Sequence, residues 1–150
     1  MRLFGRRSII ERIKTKPKTI KRIYLQEGLS RPEVTNLARK HNVYFEILPT
    51  HRFLQLAQKA HAQGVIAEVT DFEYSDFDDI IAEKSKPTLI CLDRINDPQN
   101  LGVILRNCAC FGGFCVVLPR HESVEVTEAS IKVASGAENY VPVCLVTNLS

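Results

Sequence analysis

Hydrophobic and polar positions over residues 1–69 alternate between helical and extended spacing. Ile9, Ile10 and Ile13 share one helical face within 8–15, and apolar and basic residues alternate over 19–25 as in a half-buried strand. The same patterns predict a helix from a Ser30 N-cap to about residue 41 and a helix over 51–62 with Thr50 as its N-cap. Strands are predicted over 43–48 and 65–69. This order predicts a small three-layer α/β domain.

The pattern changes after residue 69. Residues 70–87 are acidic, end in Ser-Lys-Pro, and predict a linker with one helical turn at 76–83. Beyond them, apolar runs at 88–92 and 114–118 are typical of buried parallel strands. They flank a helix at about 99–111, for which Asp97 is the predicted N-cap and Pro98 the first helical position. A further helix at about 127–134 and a strand at about 141–146 follow. The sequence therefore predicts a parallel-sheet α/β domain over 88–150.

Composition narrows the class of protein. The chain has 150 residues, of which 45% are hydrophobic and 25% charged, which excludes collagen-like and wholly disordered chains. No apolar run approaches the roughly 18 residues of a membrane span, so no membrane partner is expected. The N-terminus lacks the apolar core of a secretory signal, and a cytoplasmic location is expected.

The net charge of +3 hides a strong asymmetry. Residues 1–22 carry nine basic side chains and the single acid Glu11, whereas 68–83 carry seven acids and no lysine or arginine. A local basic field attracts polyanions, so nucleic acid is favoured over the alternative of a solvated basic helix. The candidate RNA-binding residues are Arg6, Arg7, Arg12, Lys14, Lys16, Lys18, Lys21 and Arg22.

The five cysteines and four histidines suggest neither a disulfide framework nor a metal site. The cysteine number is odd, and Cys108 and Cys110 point to different sides of a helix with no histidine at ligand spacing. Small buried thiols are the favoured interpretation. The scattered histidines form no hydrolytic triad.

Candidate chemistry lies at 93–100, because ligands of open α/β sheets bind at the carboxyl ends of strands. The stretch matches neither a dinucleotide-binding fingerprint nor a P-loop. Asn100 and Arg106 project from the same half of the predicted helix, and Gly102 is expected to clear space above the guanidinium. Arg106 could pair with Asp93 or Asp97, or bind a phosphate or substrate, and the pattern leaves these alternatives open.

A second cluster of small residues is the segment 133–138, which reads Val-Ala-Ser-Gly-Ala-Glu. Its small side chains would allow the close approach of a ligand or of another element. The simpler alternative is a helix C-cap at Gly136.

Together these segments resemble a known family. Residues 92–112, LDRINDPQNLGVILRNCACFG, look like the first signature of the SpoU (TrmH-type) RNA 2′-O-ribose methyltransferases of the SPOUT superfamily, and 131–149 look like their second. Residues 1–69 are similar to the ribosomal-protein-like RNA-binding domain of two-domain members. Here Ala62 replaces a histidine that members often carry.

The resemblance implies a trefoil-knotted α/β catalytic domain, a homodimer, and S-adenosylmethionine as the methyl donor without a metal. It also implies methylation of a ribose hydroxyl, with ribosomal RNA favoured over transfer RNA. By position, Arg106 is implicated in activating the hydroxyl, and Asn100 is the accompanying motif residue.

The family's third signature, which carries the cofactor pocket, does not occur within the 150 residues. Cofactor-binding residues are therefore expected beyond Ser150, and the catalytic domain is expected to be incomplete. One interpretation is a truncated and inactive methyltransferase. The alternative is a non-catalytic RNA-binding module that retains a vestigial methyltransferase half.

Overall fold

The computed structural model describes residues 1–58, 60–83 and 86–149. The chain divides into two compact units, Met1–Asp71 and Phe72–Ser150. We call them unit 1 and unit 2 and describe each by itself.

Unit 1 is a four-stranded mixed sheet with three helices. Its elements are β1 (Arg2–Phe4), α1 (Arg6–Thr15), a 3-10 turn (Pro17–Thr19), β2 (Ile20–Gln26), α2 (Pro32–Lys40), β3 (Phe45–Leu48), α3 (Thr50–Ala57) and β4 (Val65–Val69). The strand order is β1-β4-β2-β3. Strands β2 and β3 are parallel, whereas β4 is antiparallel to both β1 and β2. The predicted α/β domain is confirmed.

Two details of unit 1 differ from the predicted pattern. Strand β1 was not expected, because three residues are too few to show an alternation. The N-caps are Arg31 and Pro49 rather than Ser30 and Thr50, and neither helix has a side-chain cap. Each helix therefore begins one residue away from the polar side chain that sequence favours.

Helices and sheet of unit 1 bury aliphatic side chains that recur at the expected spacings. The burial of one such side chain contributes about 1.5–3 kcal/mol to stability. The side chains below 2% exposure are Leu3, Ile9, Ile13, Ile23, Val34, Phe53, Val65, Ile66, Ala67 and Val69, with Ala38.

Unit 2 is a three-stranded parallel sheet joined by helical crossovers. Its elements are α4 (Phe77–Ala82), β5 (Thr88–Cys91), α5 (Pro98–Phe111), β6 (Phe114–Pro119), α6 (Glu128–Ala134), a 3-10 turn (Ala137–Asn139) and β7 (Val143–Val146). The strand order β5-β6-β7 follows the chain, and both pairings are parallel. This confirms the predicted parallel sheet and places the carboxyl ends of the three strands at one edge.

The acidic stretch expected to link the domains at 70–87 is folded over much of its length. Asp76 caps α4 by accepting hydrogen bonds from the amides of Asp78 and Asp79, as the predicted helical turn requires. Ile80 is buried beside Cys115, Val117 and Cys144. The structure therefore divides the chain at Asp71 and assigns residues from Phe72 onward to unit 2. Of the expected linker, residues 84–85 lie outside the described residues.

The segment just before α4 is also bonded to distant parts of unit 2. The amide of Ser75 donates to the carbonyl of Val143 at 2.8 Å, and the Tyr74 hydroxyl accepts from the amide of Val126 at 2.9 Å. Burial raises the pKa of Tyr74, with a smaller contribution from Glu125. The acidic composition of this stretch could not predict these hydrogen bonds, because their partners are far away in sequence.

Candidate active site and nucleic-acid interface

Helix α5 begins at the carboxyl end of β5, where the sequence places the candidate chemistry. Asp97 is the N-cap, and its Oδ1 accepts a hydrogen bond from the amide of Gln99 at 2.8 Å. Pro98 occupies the first helical position, where its missing N–H costs no hydrogen bond. The loop before the helix thus fixes its starting point as predicted.

Asn100 and Arg106 both lie on the exposed side of α5. The buried side of the same helix carries Leu101 and Leu105, each fully buried. Val103 lies between the two polar residues in sequence and is 47% exposed. Six residues of helix separate Asn100 from Arg106 by about 9 Å along the axis. The helix presents the two side chains on one accessible surface and does not bring them into contact.

The guanidinium of Arg106 makes no ion pair within 4 Å among the described residues. The alternative of a salt bridge to Asp93 or Asp97 is therefore not realised here. An arginine is permanently charged and presents five N–H donors, which suits it to phosphate oxygens. Its exposure leaves those donors accessible to a ligand.

Gly102 has a different role from the one expected. A Cβ built on it would lie 2.5 Å from the carbonyl oxygen of Ser130 and 2.7 Å from Cβ of Val133. Gly102 therefore lets α5 and α6 approach closely, and it does not provide space for Arg106. The contact fixes the orientation of α5 in unit 2.

The small residues at 133–138 also serve packing. Helix α6 ends at Ala134, and its C-cap is Ser135 in the left-handed conformation, one residue before the expected Gly136. Ala134, Ala137 and Glu138 are buried. Of the interpretations left open, the close approach of another element is the one seen, because the following 3-10 turn packs against α5.

A polar cavity of about 250 Å³ lies beyond the carboxyl ends of the strands of unit 2. The last residue of β6 and the loops after β5, β6 and β7 line it, namely Asp93, Arg94, Pro119, His121, Glu122, Thr147, Asn148 and Leu149. Three loops that are far apart in sequence meet there because parallel strands end at one edge. The cavity is the place where this fold class binds ligands.

Two contacts hold the first two of these loops together. The amide of Val124 donates to the carbonyl of Ile95 at 2.7 Å, and Nε of Arg94 lies 3.5 Å from Oε2 of Glu122. The ion pair is about three-quarters exposed at both side chains, so it contributes little to stability. Sequence reasoning passed over His121 and Glu122. The available signal was their position directly after a buried parallel strand.

The cysteines divide into a buried and an exposed group. Cys108, Cys115 and Cys144 are buried, whereas Cys91 and Cys110 are exposed, and all five are free thiols. Sγ of Cys115 lies 3.6 Å from Sγ of Cys144. Burial raises the pKa of the Cys115 thiol to about 12, and burial also raises that of Cys144. Within the described residues, no three His, Cys, Asp or Glu side chains are grouped so that they could hold a metal ion.

Seven of the eight basic residues expected to bind RNA are exposed in unit 1, namely Arg6, Arg7, Lys14, Lys16, Lys18, Lys21 and Arg22. Two of them have partners. Nζ of Lys14 lies 3.1 Å from Oε1 of Glu11, and Nη1 of Arg22 lies 3.5 Å from Oε2 of Glu46. The guanidinium of Arg22 also lies 5.2 Å from the ring centre of Tyr44. These residues stay predicted RNA contacts.

Arg12 departs from this set. It is 4% exposed, and its Nη1 donates to Oγ1 of Thr19 at 3.5 Å. The side chain lies inside unit 1 between α1 and the turn before β2. The structure therefore places the Arg12 side chain in the interior of unit 1, which sets it apart from the seven exposed residues predicted to bind RNA.

Four of the exposed basic residues lie toward the two ends of α1. Arg6 and Arg7 are in its first turn, where the amide of Arg6 donates to Oε1 of Gln63 at 3.2 Å. Lys14 and Lys16 are at its end, about 12 Å further along the axis. A continuous RNA contact with this set would therefore extend along the whole helix.

In the parts of the chain that the structure describes, no helix is both long and apolar enough to cross a membrane.

Comparison with known proteins supports the resemblance. The family model for RNA 2′-O ribose methyltransferase substrate binding matches residues 2–75, and the SpoU rRNA Methylase family model matches residues 87–150. A putative TrmH family tRNA/rRNA methyltransferase of Staphylococcus haemolyticus is 35% identical over 155 residues, covering 99% of this chain and 61% of the relative. The relative YacO of Bacillus subtilis, of the same description, is 30% identical with the same coverage. The chain thus spans about three-fifths of the length of these relatives.

Solved structures show the same fold at lower identity. The SpoU methyltransferase AviRb of Streptomyces viridochromogenes, solved in complex with AdoMet, aligns with a TM-score of 0.76 at 18% identity. The alignment covers 99% of this chain and 55% of the AviRb chain. An AdoMet-bound rRNA methyltransferase of Sinorhizobium meliloti aligns with a TM-score of 0.74 at 21% identity, covering 96% of this chain and 53% of its own. With its two signatures and both family domains, the chain belongs to the SpoU (TrmH-type) family.

Proposed function

We propose that this chain is part of an enzyme that transfers a methyl group from S-adenosylmethionine to a ribose 2′-hydroxyl of RNA. Ribosomal RNA is the proposed substrate, ahead of transfer RNA. The observation that carries the proposal is the accessible guanidinium of Arg106, which has no acidic partner in the described structure, on the helix that bears the first family signature. The family and its relatives support the reaction class.

The chemistry asked of Arg106 is electrostatic. A ribose hydroxyl is a weak acid, and its oxygen becomes more nucleophilic as the proton leaves. A fixed cation beside it would stabilise the developing alkoxide and hold the adjacent phosphate. Arginine keeps its proton at neutral pH, so we assign Arg106 positioning and charge stabilisation and do not assign it proton abstraction. Asn100, on the same surface of α5, would orient the ribose or its phosphate through its amide.

The cavity beyond β5, β6 and β7 is compatible with part of the methyl donor. Its carboxylates, Asp93 and Glu122, could receive an ammonium group, and Arg94 and His121 could receive a carboxylate. Its volume of about 250 Å³ is below the roughly 300–1,000 Å³ of complete small-molecule sites. We therefore propose these residues as one portion of the cofactor site, whose bound donor supplies an electrophilic methyl group.

The two parts of the chain would have different functions, RNA binding and catalysis. We propose that residues 1–69 hold the RNA through the exposed basic side chains of α1 and β2, and that residues 88–150 form the catalytic part. The resemblance further supports a homodimer and a cytoplasmic location. Charge supports the RNA-holding role, because Lys16, Lys18 and Lys21 are exposed and make no ion pair within 4 Å among the described residues.

The experiment is the transfer of tritiated methyl groups to purified ribosomal RNA and, separately, to transfer RNA. Two proteins are compared: the 150-residue chain, and the same chain extended by the part of the Staphylococcus haemolyticus relative that follows the matched region. Arg106→Ala is made in whichever protein is active, with Asn107→Ala as the matched exposed control. Nuclease digestion of the product identifies whether the label is on a ribose.

The proposal predicts ribose labelling that depends on Arg106 and survives Asn107→Ala. Labelling of a base, or full activity in Arg106→Ala, would contradict it. RNA binding by both proteins with methyl transfer by neither would favour the alternative, a non-catalytic RNA-binding module with a vestigial catalytic half.

A further inference from the structure

A groove of about 550 Å³ lies in unit 1 beside helix α2. The turn between β2 and α2 closes one end of it, and the exposed face of α2 and a residue of β3 form its sides. Side chains that define it are Gln26, Leu29, Arg31, Asn36, Arg39 and Ile47. None of the eight basic residues predicted to bind RNA lines it. The groove is therefore a separate feature of the same unit.

The charges in the groove are unbalanced toward the positive. Arg31 and Arg39 line it, and among the described residues neither makes an ion pair within 4 Å. Glu27 is the single acid among the lining residues. Arg39 lies over the ring of Phe45, with 5.6 Å between the guanidinium carbon and the ring centre. Two accessible cations with one acid favour an anionic occupant.

The cation at Arg31 is held in place before any ligand arrives. Its Nε and Nη2 donate to the carbonyl of Gln63 at 3.1 and 2.9 Å, and its Nη1 donates to the carbonyl of Ser30 at 2.8 Å. A Cβ on Gly64 would lie 2.7 Å from Cδ1 of Leu29 and 3.1 Å from Nη2 of Arg31. The wall of the groove is thus a packed turn, and its charge needs little reorganisation to meet an anion.

The apolar part of the groove is unusually accessible for an aliphatic surface. Leu29 is 42% exposed and Ile47 is 61% exposed. Beside them, the amides of Gln26 and Asn36 offer both hydrogen-bond donors and acceptors. A flat apolar ring with polar edges, attached to a phosphate, matches this combination. A phosphate or a peptide carboxylate alone would leave the aliphatic side chains uncovered.

We propose that this groove receives an unpaired nucleotide of the RNA substrate. Its volume lies within the roughly 300–1,000 Å³ of small-molecule sites, which is enough for a single base and its ribose. RNA-binding proteins commonly read single-stranded bases that are splayed away from a helix and contacted by apolar, aromatic and guanidinium surfaces. Bases stacked within a duplex could not enter. The inference deepens the proposed function of unit 1 and depends on it.

The test uses the complete 150-residue chain and a fluorescein-labelled single-stranded 12-mer that contains one 4-thiouridine. Its affinity is compared with that of a blunt duplex of the same length by fluorescence anisotropy. Arg39→Gln is the groove variant. Lys40→Gln is its matched control, because Lys40 is the exposed neighbour on the same helix, loses the same charge, and does not line the groove. Crosslinked peptides are mapped by mass spectrometry.

We expect Arg39→Gln to weaken single-strand binding by about fivefold or more and to lower its salt slope by about one. Lys40→Gln should change the affinity by less than about twofold. Crosslinks should map to 25–39 or to Ile47. Equal losses in both variants, or crosslinks confined to 6–22, would overturn the groove while leaving RNA binding by unit 1 intact. No binding of either RNA by the unaltered chain would overturn both proposals. Circular dichroism of each variant confirms that the fold is retained.

Discussion

Gly102 on α5 lies so close to Ser130 on α6 that a Cβ on the glycine would sit 2.5 Å from the Ser130 carbonyl oxygen. Real side chains do not approach a backbone oxygen this closely. The helix that carries Asn100 and Arg106 is therefore positioned by a residue with no side chain. Close packing of α5 against α6 explains why a glycine occupies this position of the first family signature, without any role of the glycine in the chemistry.

Gly102→Ala is expected to destabilise unit 2. Overpacking against a fixed backbone costs about 3 kcal/mol, from which the better helix propensity of alanine removes about 1 kcal/mol. The free energy of unfolding should thus fall by about 2 kcal/mol. The free energy of unfolding is measured by urea titration, with hydrogen exchange of peptides from 98–111 as the probe of unit 2.

Val103→Ala is the control for that experiment, since Val103 is the next residue along and is 47% exposed. Its unfolding free energy should change by no more than about 0.5 kcal/mol. Equal stability of Gly102→Ala and the unaltered protein would mean that α6 can shift away without cost, and the packing explanation would be abandoned.

Arg106→Ala should remove methyl transfer from an active form of the enzyme. If its charge stabilises the alkoxide, the rate should fall by about 100-fold or more. Arg106→Lys should restore only part of the rate, because a lysine keeps the charge and loses the planar set of donors. Single-turnover labelling of RNA measures the change. Stability should be unaffected, because the side chain is exposed and makes no ion pair within the described structure.

Arg12→Ala should affect stability first. The side chain is 4% exposed and hydrogen-bonded to Thr19, so its loss should lower the unfolding free energy by about 2–3 kcal/mol. Lys18→Ala, at an exposed position, should leave stability within about 0.5 kcal/mol. Thermal unfolding compares them. An Arg12→Ala protein of normal stability that binds RNA weakly would contradict the assignment of Arg12 to the interior.

RNA affinity should depend steeply on salt. If Lys16, Lys18 and Lys21 each neutralise a phosphate, then the triple change to glutamine should reduce the slope of log affinity against log salt by about two to three. Affinity for different sequences should fall in parallel, because phosphate contacts carry no base information. Filter binding between 50 and 300 mM salt is the measurement. A slope unchanged by the triple variant would place the RNA on another surface.

Stability should fall at alkaline pH because of the buried thiol of Cys115. Burial raises its pKa from the ordinary 9.0 to about 12 in the folded protein. Between these values the unfolded chain releases the proton and the folded chain keeps it, so the unfolded state gains stability as the pH rises. The unfolding free energy should decrease above pH 9 by up to about 1.4 kcal/mol per pH unit for one thiol.

Urea unfolding at pH 7 to 10.5 tests this dependence. Cys115→Ala should show a shallower decrease above pH 9. Cys110→Ala should keep the full decrease, because Cys110 is exposed. The same slope in all three proteins would assign the effect to other groups. Burial and Glu68 also raise the pKa of the Tyr24 hydroxyl above its ordinary 10.0, so Tyr24 adds its own decrease only above about pH 10, near the end of this range.

Much of the architecture follows from local patterns in the sequence. Strand β4 was predicted over the residues that it occupies, and α5 begins where Asp97 and Pro98 place it. Helical and extended spacings of apolar residues identify such elements because burial of one face is the main local requirement. Asn100 and Arg106 could be selected for the same reason, since their angular positions follow from the helix repeat.

Local patterns could not predict the tertiary contacts of each residue. Arg12 belongs to the same basic run as Lys14 and Lys16, but packing takes it inside. The helix pattern predicts that Gly102 clears space above the Arg106 guanidinium, whereas in the fold α6 packs directly against this glycine. Charge, spacing and helix position are properties of neighbours along the chain, whereas burial and close approach depend on residues far away in sequence. For this protein, the sequence defines the elements and the family, and the packing of distant elements separates the exposed basic residues from those that hold the fold.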